Sequence, residues 1–402
     1  MTAKTDTAGS GQLPGFEAML GTLVRTSSVS CTNSDYDRSN IDVINHLANW
    51  LDGMGFATDV QKVPLDDGTP SGKANLIATA GPVRGDNPAR PAEGLVLAGH
   101  TDTVPCNESQ WQREPFELTN ADDRYFGLGS CDMKGFFPVA LSAIDRHDLS
   151  KFTAPVTIIA TSDEESSMAG ARYLCDQRSV TAEACVVGEP TSLQPVYAHK
   201  GIMMLSITLH GASGHSSNPA LGCNALDAMH AVMSELIAFR TELATKWQNP
   251  GFDVQVPTLN LGCMRAGDNP NRICDHAELQ IDLRLLPGMD IEATLAALKT
   301  RVNAVAQRCG TPLTLESFTN VPAFETAADA KLVSYLESAT GNRAGTVAYG
   351  TEGPFFNDLG METVIFGPGS IDQAHQPNEY LAHSQIEPAV DVLAGMINHY
   401  CR

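Results

Sequence analysis

Four short apolar runs in the sequence each end in residues that can hold a cation or move a proton. Gly94-Leu-Val-Leu-Ala-Gly99 leads into His100-Thr-Asp102, and Pro155-Val-Thr-Ile-Ile-Ala160 into Thr161-Ser-Asp163-Glu164-Glu165. Ala184-Cys-Val-Val187 is followed by Gly188-Glu189-Pro190. Glu362-Thr-Val-Ile-Phe366 is followed by a Gly/Pro loop that presents Gln373-Ala-His375-Gln-Pro377. A fifth segment, Gly127-Leu-Gly129-Ser-Cys-Asp132-Met-Lys-Gly135, offers Asp132 from a glycine-bearing turn that opens a helix. Closely packed carboxylates repel one another unless cations neutralise them. Imidazole with carboxylate, and no thiolate, suits zinc, cobalt or manganese. The donors suffice for two ions about 3.5–4 Å apart sharing one carboxylate.

Taken singly, each piece has a plainer reading. A histidine after a strand is usually a satisfied polar residue, and Glu164-Glu165 alone reads as the acidic first turn of a helix. Gly127-x-Gly129-x-x-Asp132 has an aspartate where a dinucleotide fingerprint needs its third glycine. The joint placement carries the metal reading.

Something must bring these ends together. The four runs are short, continuous and rich in β-branched residues, as strands buried on both faces are. Helical segments fall around them, at 16–23, 41–51, 133–143, 169–175 and 328–338. Alternation of this kind predicts an α/β fold, a mostly parallel sheet with helices on both faces. In such sheets ligands bind beyond the carboxyl ends of the strands. The middle third differs: strands at 202–209, 258–264, 277–285 and 313–316 alternate with helices at 224–245 and 291–306. The order β-α-β-β-α-β predicts an inserted ferredoxin-like α+β domain. The expected division is residues 1–199 and 318–402 for the first domain and 200–317 for the insert, with 81–91 a surface loop.

Length and composition agree. The chain has 402 residues, 43% hydrophobic and 18% charged, enough for two globular domains. Its 47 acidic against 26 basic side chains give a net charge of −21, which disfavours nucleic acid and anionic membranes as partners. No apolar run reaches the ~18 residues of a membrane span, and residues 1–13 lack the apolar core of a secretion signal. Ten cysteines without a Cys-x-x-Cys pair read as reduced and mostly buried, so the cytoplasm is expected.

The motifs also carry a resemblance. His100-Thr-Asp-Thr-Val-Pro105, the 127–135 turn, Ser162-Asp-Glu-Glu165, Val187-Gly-Glu-Pro-Thr191 and Gly211-Ala-Ser-Gly-His-Ser-Ser217 resemble, in order, the motifs of the co-catalytic metallopeptidase family. That family has a zinc-exopeptidase-like fold and includes aminoacylases, glutamate carboxypeptidases, succinyl-diaminopimelate desuccinylases and acetylornithine deacetylases. The resemblance runs from about residue 15 to the end. It implies that Asp132 bridges two divalent ions, Zn2+ first and Co2+ or Mn2+ as alternatives. His100 and Glu189 would complete one site, Glu165 and His375 the other. Asp102 would accept a hydrogen bond from the His100 imidazole. Glu164 would be the general base, helped by the like charge of Glu165. His215, from the inserted lid of a homodimer partner, would hold the oxyanion. The peptide Asp132–Met133 is expected to be cis.

For the substrate, a small N-acylated amino acid, Asn271 in Asn269-Pro-Asn-Arg-Ile273 and Arg284 match lid positions that hold a carboxylate, with Lys200 a further candidate. Cys274 replaces the usual proline of the Asn-x-Ile-Pro pattern. Gly350-Thr351-Glu352-Gly353 and the segment 366–381 are most similar to the acetylornithine deacetylase branch, with Glu352 placed to meet a substrate ammonium. The expected reaction is hydrolysis of N2-acetyl-L-ornithine in arginine biosynthesis. Rivals are deacylation of acetylcitrulline or succinyl-diaminopimelate, dipeptide hydrolysis, and a metal-free binding protein on the same scaffold.

Overall fold

A computed structural model describes residues 13–65, 67–83 and 92–402. Most of the expected 81–91 loop, residues 84–91, and the reading of residues 1–12 lie outside the described residues. The chain divides into two compact units. One comprises residues 1–197, 326–344 and 355–402, and the other residues 198–325 and 345–354.

In the first unit, strands lie in the order Ala57–Pro64, Pro70–Ala80, Val156–Thr161, Leu95–His100, Ala184–Val187, Glu362–Ile365. The last four are mutually parallel and are the four runs recognised from sequence. His100 pairs with Thr161, and Ala98 with Val187, so their carboxyl ends finish almost level. The outer two form an antiparallel hairpin that sequence reading missed. The helices Phe16–Arg25, Ile41–Gly53, Phe136–Asp145, Lys331–Thr340 and His383–Cys401 contribute Leu23, Leu47, Leu51, Phe137, Leu141, Leu336, Leu393 and Ile397 to the core around the sheet. Each such side chain stabilises by roughly 1.5–3 kcal/mol through removal from water. A small sheet of Thr119–Ala121, Arg124–Phe126 and Tyr380–Ala382 sits on this frame.

The helix expected from Met133 begins at Phe136. Residues 127–135 first fold into a tight turn, in which Gly135 donates to the Gly129 carbonyl. A Cβ at Gly135 would lie 2.2 Å from the Ser130 carbonyl oxygen, so a side chain there would block the closure. The Asp132–Met133 peptide is cis.

The second unit is an antiparallel sheet in the order Thr258–Ala266, His276–Leu285, Gly201–His210, Leu313–Val321, with helices Ala225–Lys246 and Ile291–Cys309. This is the ferredoxin-like order. Its last strand runs past residue 317, because Thr319, Asn320 and Val321 go on pairing with Met204, Met203 and Ile202. Residues 345–354 also join this unit, which the contiguous boundary 200–317 did not foresee. The ten cysteines are free. Among the described residues no helix is long and apolar enough to cross a membrane.

Candidate metal centre

The parallel strands deliver His100, the Glu164-Glu165 turn, Glu189 and the His375 loop to one edge of the sheet in the first unit. His100 ends its strand fully buried. Its Nδ1 lies 3.0 Å from the backbone carbonyl of Asp102, which can only accept, so Nδ1 carries a proton. Its Nε2 then faces Asp132 Oδ1 at 3.2 Å and Glu189 Oε1 at 3.8 Å. The other oxygen of Asp132, Oδ2, lies 3.7 Å from His375 Nε2. His375 Nε2 is also 2.9 and 3.1 Å from the two oxygens of Glu165. Asp132 therefore turns one oxygen to His100 and the other to His375. Among the described residues two groups have donor atoms all within 4.8 Å of one another: His100, Glu164 and Glu189, and His100, Asp132 and Glu165.

Asp102 differs from expectation. The imidazole meets its backbone carbonyl, while its carboxylate lies 3.7 Å from Nδ1. That carboxylate accepts instead from the backbone N–H of Glu164 at 3.3 Å and of Glu165 at 3.1 Å. Peptide donors opposite it win because they close the turn after Val156–Thr161, leaving the ring its own strand-end carbonyl. Asp102 thus fixes the two glutamates' backbone.

The electrostatics require positive charge. Burial disfavours the His100 imidazolium, but the Asp132 hydrogen bond and the charges of Glu189, Glu164 and Asp102 outweigh it and raise its pKa well above the usual value. His375 is pushed up to about 9, first by its hydrogen bond to Glu165. Burial raises Asp102 and Glu165, the latter helped by the charge of Asp132. Asp132 is lowered, because His100 and His375 overcome its burial. An Nε2 lone pair aimed at carboxylates is tenable only with a proton or a cation between them. A divalent cation meets the same demand, and the donor set fits it.

Two buried charged residues escaped the sequence reading. Glu379 is buried and accepts from the backbone N–H of Gly129, Cys131 and Asp132. Its carboxyl is pushed up to about 8, first by burial and then by the charge of Asp132. Lys73, on the missed hairpin, is buried between Asp37 and Asp163, just before Glu164. Neither has a local pattern to announce it, since every partner lies far away in the chain. Gly188 was passed over too. A Cβ there would lie 2.1 Å from Phe136 Cγ, inside the core and next to Glu189. Gly188→Ala is expected to cost about 1–3 kcal/mol by overpacking, read as a lower unfolding temperature; an unchanged one would show that the ring can step aside.

The remaining predicted residues belong to the second unit. His215 is exposed, and its Nδ1 accepts from the N–H of Ser217 at 3.2 Å, which leaves Nε2–H free to donate. It bridges to Arg272, and Ser216 N–H donates to the Asn271 carbonyl, so His215 and Asn271 share one loop cluster. Cys274 is buried there, with its Sγ 3.1 Å from the His276 carbonyl. Arg284 is paired through Nε with Asp282 at 3.0 Å. Lys200 is buried and donates to the carbonyls of Val254 and Val256, both at 2.7 Å. Burial and the Arg284 charge lower its pKa. Thr351 and Glu352 are fully buried, and Thr351 N–H donates to His199 Nε2 at 3.1 Å. His199 is held neutral by burial, down to about 4, and donates from Nδ1 to the Lys200 carbonyl.

A parallel sheet that collects two imidazoles and several buried carboxylates beyond its strand ends defines the class of metal-dependent hydrolases. Residues 96–399 match Peptidase family M20/M25/M40, and the chain belongs to that family. It is 41% identical over 391 residues, 97% of this chain and 98% of the other, to an acetylornithine deacetylase of Photorhabdus laumondii. Its fold is similar to that of the M20 metallo-carboxypeptidase Sso-CP2 from Sulfolobus solfataricus. The TM-score is 0.75 at 18% identity, covering 96% of this chain and 99% of that one. It is also similar to the YXEP protein of Bacillus subtilis, a dinuclear metal-binding peptidase, with TM-score 0.64 at 14% identity over 96% and 99%.

Proposed function

We propose that the chain hydrolyses N2-acetyl-L-ornithine to L-ornithine and acetate, a step of arginine biosynthesis. The observation that carries this reading is the 41% identity, over 97% of the chain, to an acetylornithine deacetylase. His100, Asp132 and Glu189 would hold one divalent ion and Asp132, Glu165 and His375 a second, Zn2+ by the chemistry of the donors, with Co2+ or Mn2+ as alternatives. Bound there, such ions supply Lewis acidity to the acyl carbonyl and to a water. Glu164 takes the proton from the attacking water and delivers it to the departing amine. His215 donates from Nε2–H to the oxyanion, across a homodimer joined through the inserted unit. Asn271 and Arg284 hold the substrate carboxylate, with Lys200, whose ammonium also donates to the Val254 and Val256 carbonyls, a further candidate. Thr351 and Glu352 face the ornithine side chain, where the glutamate offers charge to its ammonium. The cytoplasm suits a biosynthetic step of this kind.

A charged hydrogen bond of this type contributes about 1.5–3 kcal/mol, or roughly 10–100-fold in relative kcat/KM. With the metal-loaded enzyme, Glu352→Gln should lower kcat/KM for acetylornithine by that factor relative to acetylcitrulline and neutral acetylamino acids. An unchanged ratio across the panel would remove Glu352 from substrate selection. A wild type that prefers succinyl-diaminopimelate or a dipeptide would move the assignment within the family. A wild type that turns over none of them would favour a binding protein, against the intact set of ligand and base positions.

A further inference from the structure

Glu379 lies four residues after His375, at the end of the loop that carries it. The next residues, Tyr380–Ala382, pair antiparallel with Arg124–Phe126, Tyr380 opposite Phe126. Gly127 N–H extends that pairing by donating to the Glu379 carbonyl at 3.1 Å. This sets the Glu379 side chain against the turn that follows, and its two oxygens are both used. Oε2 accepts from Gly129 N–H at 3.0 Å, and Oε1 from Cys131 N–H at 2.7 Å and Asp132 N–H at 2.9 Å. Glu379 is 1% exposed, so no solvent competes for these three donors. Buried peptide N–H groups without an acceptor are rare and costly. One carboxylate thus satisfies three of them, including the amide of Asp132 itself.

We infer that Glu379 is a positioning residue for the metal centre: it ties the backbone of Asp132 to the loop of His375 and so sets how far apart those two ligands stand. The inference rests on the two-ion reading above. It does not place Glu379 among the ligands, since its oxygens are committed to peptide N–H groups. Partners one step behind the ligands typically govern metal affinity by 10–100-fold. The ion held jointly by Asp132, Glu165 and His375 should feel the loss of Glu379 most, because both ends of the tie belong to it.

The test is calorimetric titration of the metal-free protein with Co2+, paired with the visible absorption of the bound ion and with thermal unfolding of the metal-free chain. Wild type should bind two ions; if it binds none, the metal reading fails before Glu379 is reached. Glu379→Ala is expected to weaken one ion by about 10–100-fold and to alter its Co2+ spectrum, while the other ion changes little. Glu379→Gln keeps a carbonyl oxygen for Cys131 and Asp132 but turns an amide toward Gly129 N–H, so an intermediate loss is expected. A folded Glu379→Ala variant with wild-type affinity at both sites overturns the inference. So does a Glu379→Gln variant with wild-type affinity where the alanine chain does not fold. If neither variant folds, Glu379 serves folding alone and the inference is equally overturned.

Discussion

Replacing Glu164 by alanine is expected to leave two metal ions bound and to lower kcat by about 10²- to 10⁴-fold, the range that general acid–base catalysis covers. The reason is positional. Glu164 shares its turn with Glu165, and both backbone amides are fixed by the Asp102 carboxylate. One of its oxygens comes within 4.8 Å of donor atoms of His100 and Glu189. That is near enough to serve a water held among them, and a base must sit within hydrogen-bond reach of the proton it takes. The five proposed ligands remain when Glu164 is removed, so metal content should persist and KM should change far less than kcat. Metal analysis beside steady-state kinetics separates three outcomes. Full metal with collapsed turnover supports the base. Loss of one ion together with turnover would make Glu164 a ligand, a role its place beside His100 and Glu189 also permits. A normal rate would remove it from the mechanism.

The parts of this centre that sequence reveals are those whose signal is local. Of the proposed ligands, His100 and Glu189 stand one and two residues beyond continuous apolar runs, Glu165 and His375 five and nine beyond theirs, and the same burial that makes each run apolar makes it a central parallel strand. The order of elements in the second unit was legible for a similar reason, since strands and helices there are long and differ in period. What stayed hidden depends on distant partners. The strand Ala57–Pro64 is exposed over its first four residues and shows no alternation to read. The strands Thr119–Ala121 and Arg124–Phe126 are three residues each, too short for any period. Asp102 was recognised as a site residue, but its carboxylate answers peptide groups some sixty residues away rather than the neighbouring imidazole. Glu379 sits in a polar Pro-Asn-Glu turn that reads as surface, and only the pairing of Tyr380 with Phe126 turns it inward. Periodicity reports which face of an element is buried; it is silent on which backbone amides need an acceptor.

Lys73 is the second place where a single change should have a large effect. Its side chain is 4% exposed, and its ammonium lies 2.8 Å from Asp37 Oδ1 and 2.7 Å from Asp163 Oδ1. Ser30 donates a further hydrogen bond to the same oxygen of Asp163 at 2.7 Å. Asp163 holds a left-handed backbone, φ +59°, immediately before Glu164, a conformation that a non-glycine residue adopts only when its surroundings impose it. Lys73→Met keeps the length of the side chain but leaves two carboxylates facing a neutral thioether. Removing one partner of a fully buried pair costs about 3–5 kcal/mol. Asp37 is about a third exposed, and water can screen it, so about 3 kcal/mol is expected. In a domain of this size that corresponds to an unfolding temperature lower by roughly 6–12 °C. Burial alone would lower the Lys73 pKa, but the hydrogen bonds and charges of Asp163 and Asp37 raise it above its ordinary 10.5. A raised folded-state pKa contributes stability that is fully present below the unfolded value and lost as pH rises through the folded one. The gap between wild type and Lys73→Met should therefore stay constant from pH 6 to about 9 and narrow only above about 10.5. Unfolding of the metal-free proteins across that range is the measurement. Combining Lys73→Met with Asp163→Asn in a double-mutant cycle then isolates the pair. A coupling near zero, or a melting temperature unmoved by Lys73→Met, would mean that the Asp163 turn is held by Ser30 and its own backbone, without the buried cation.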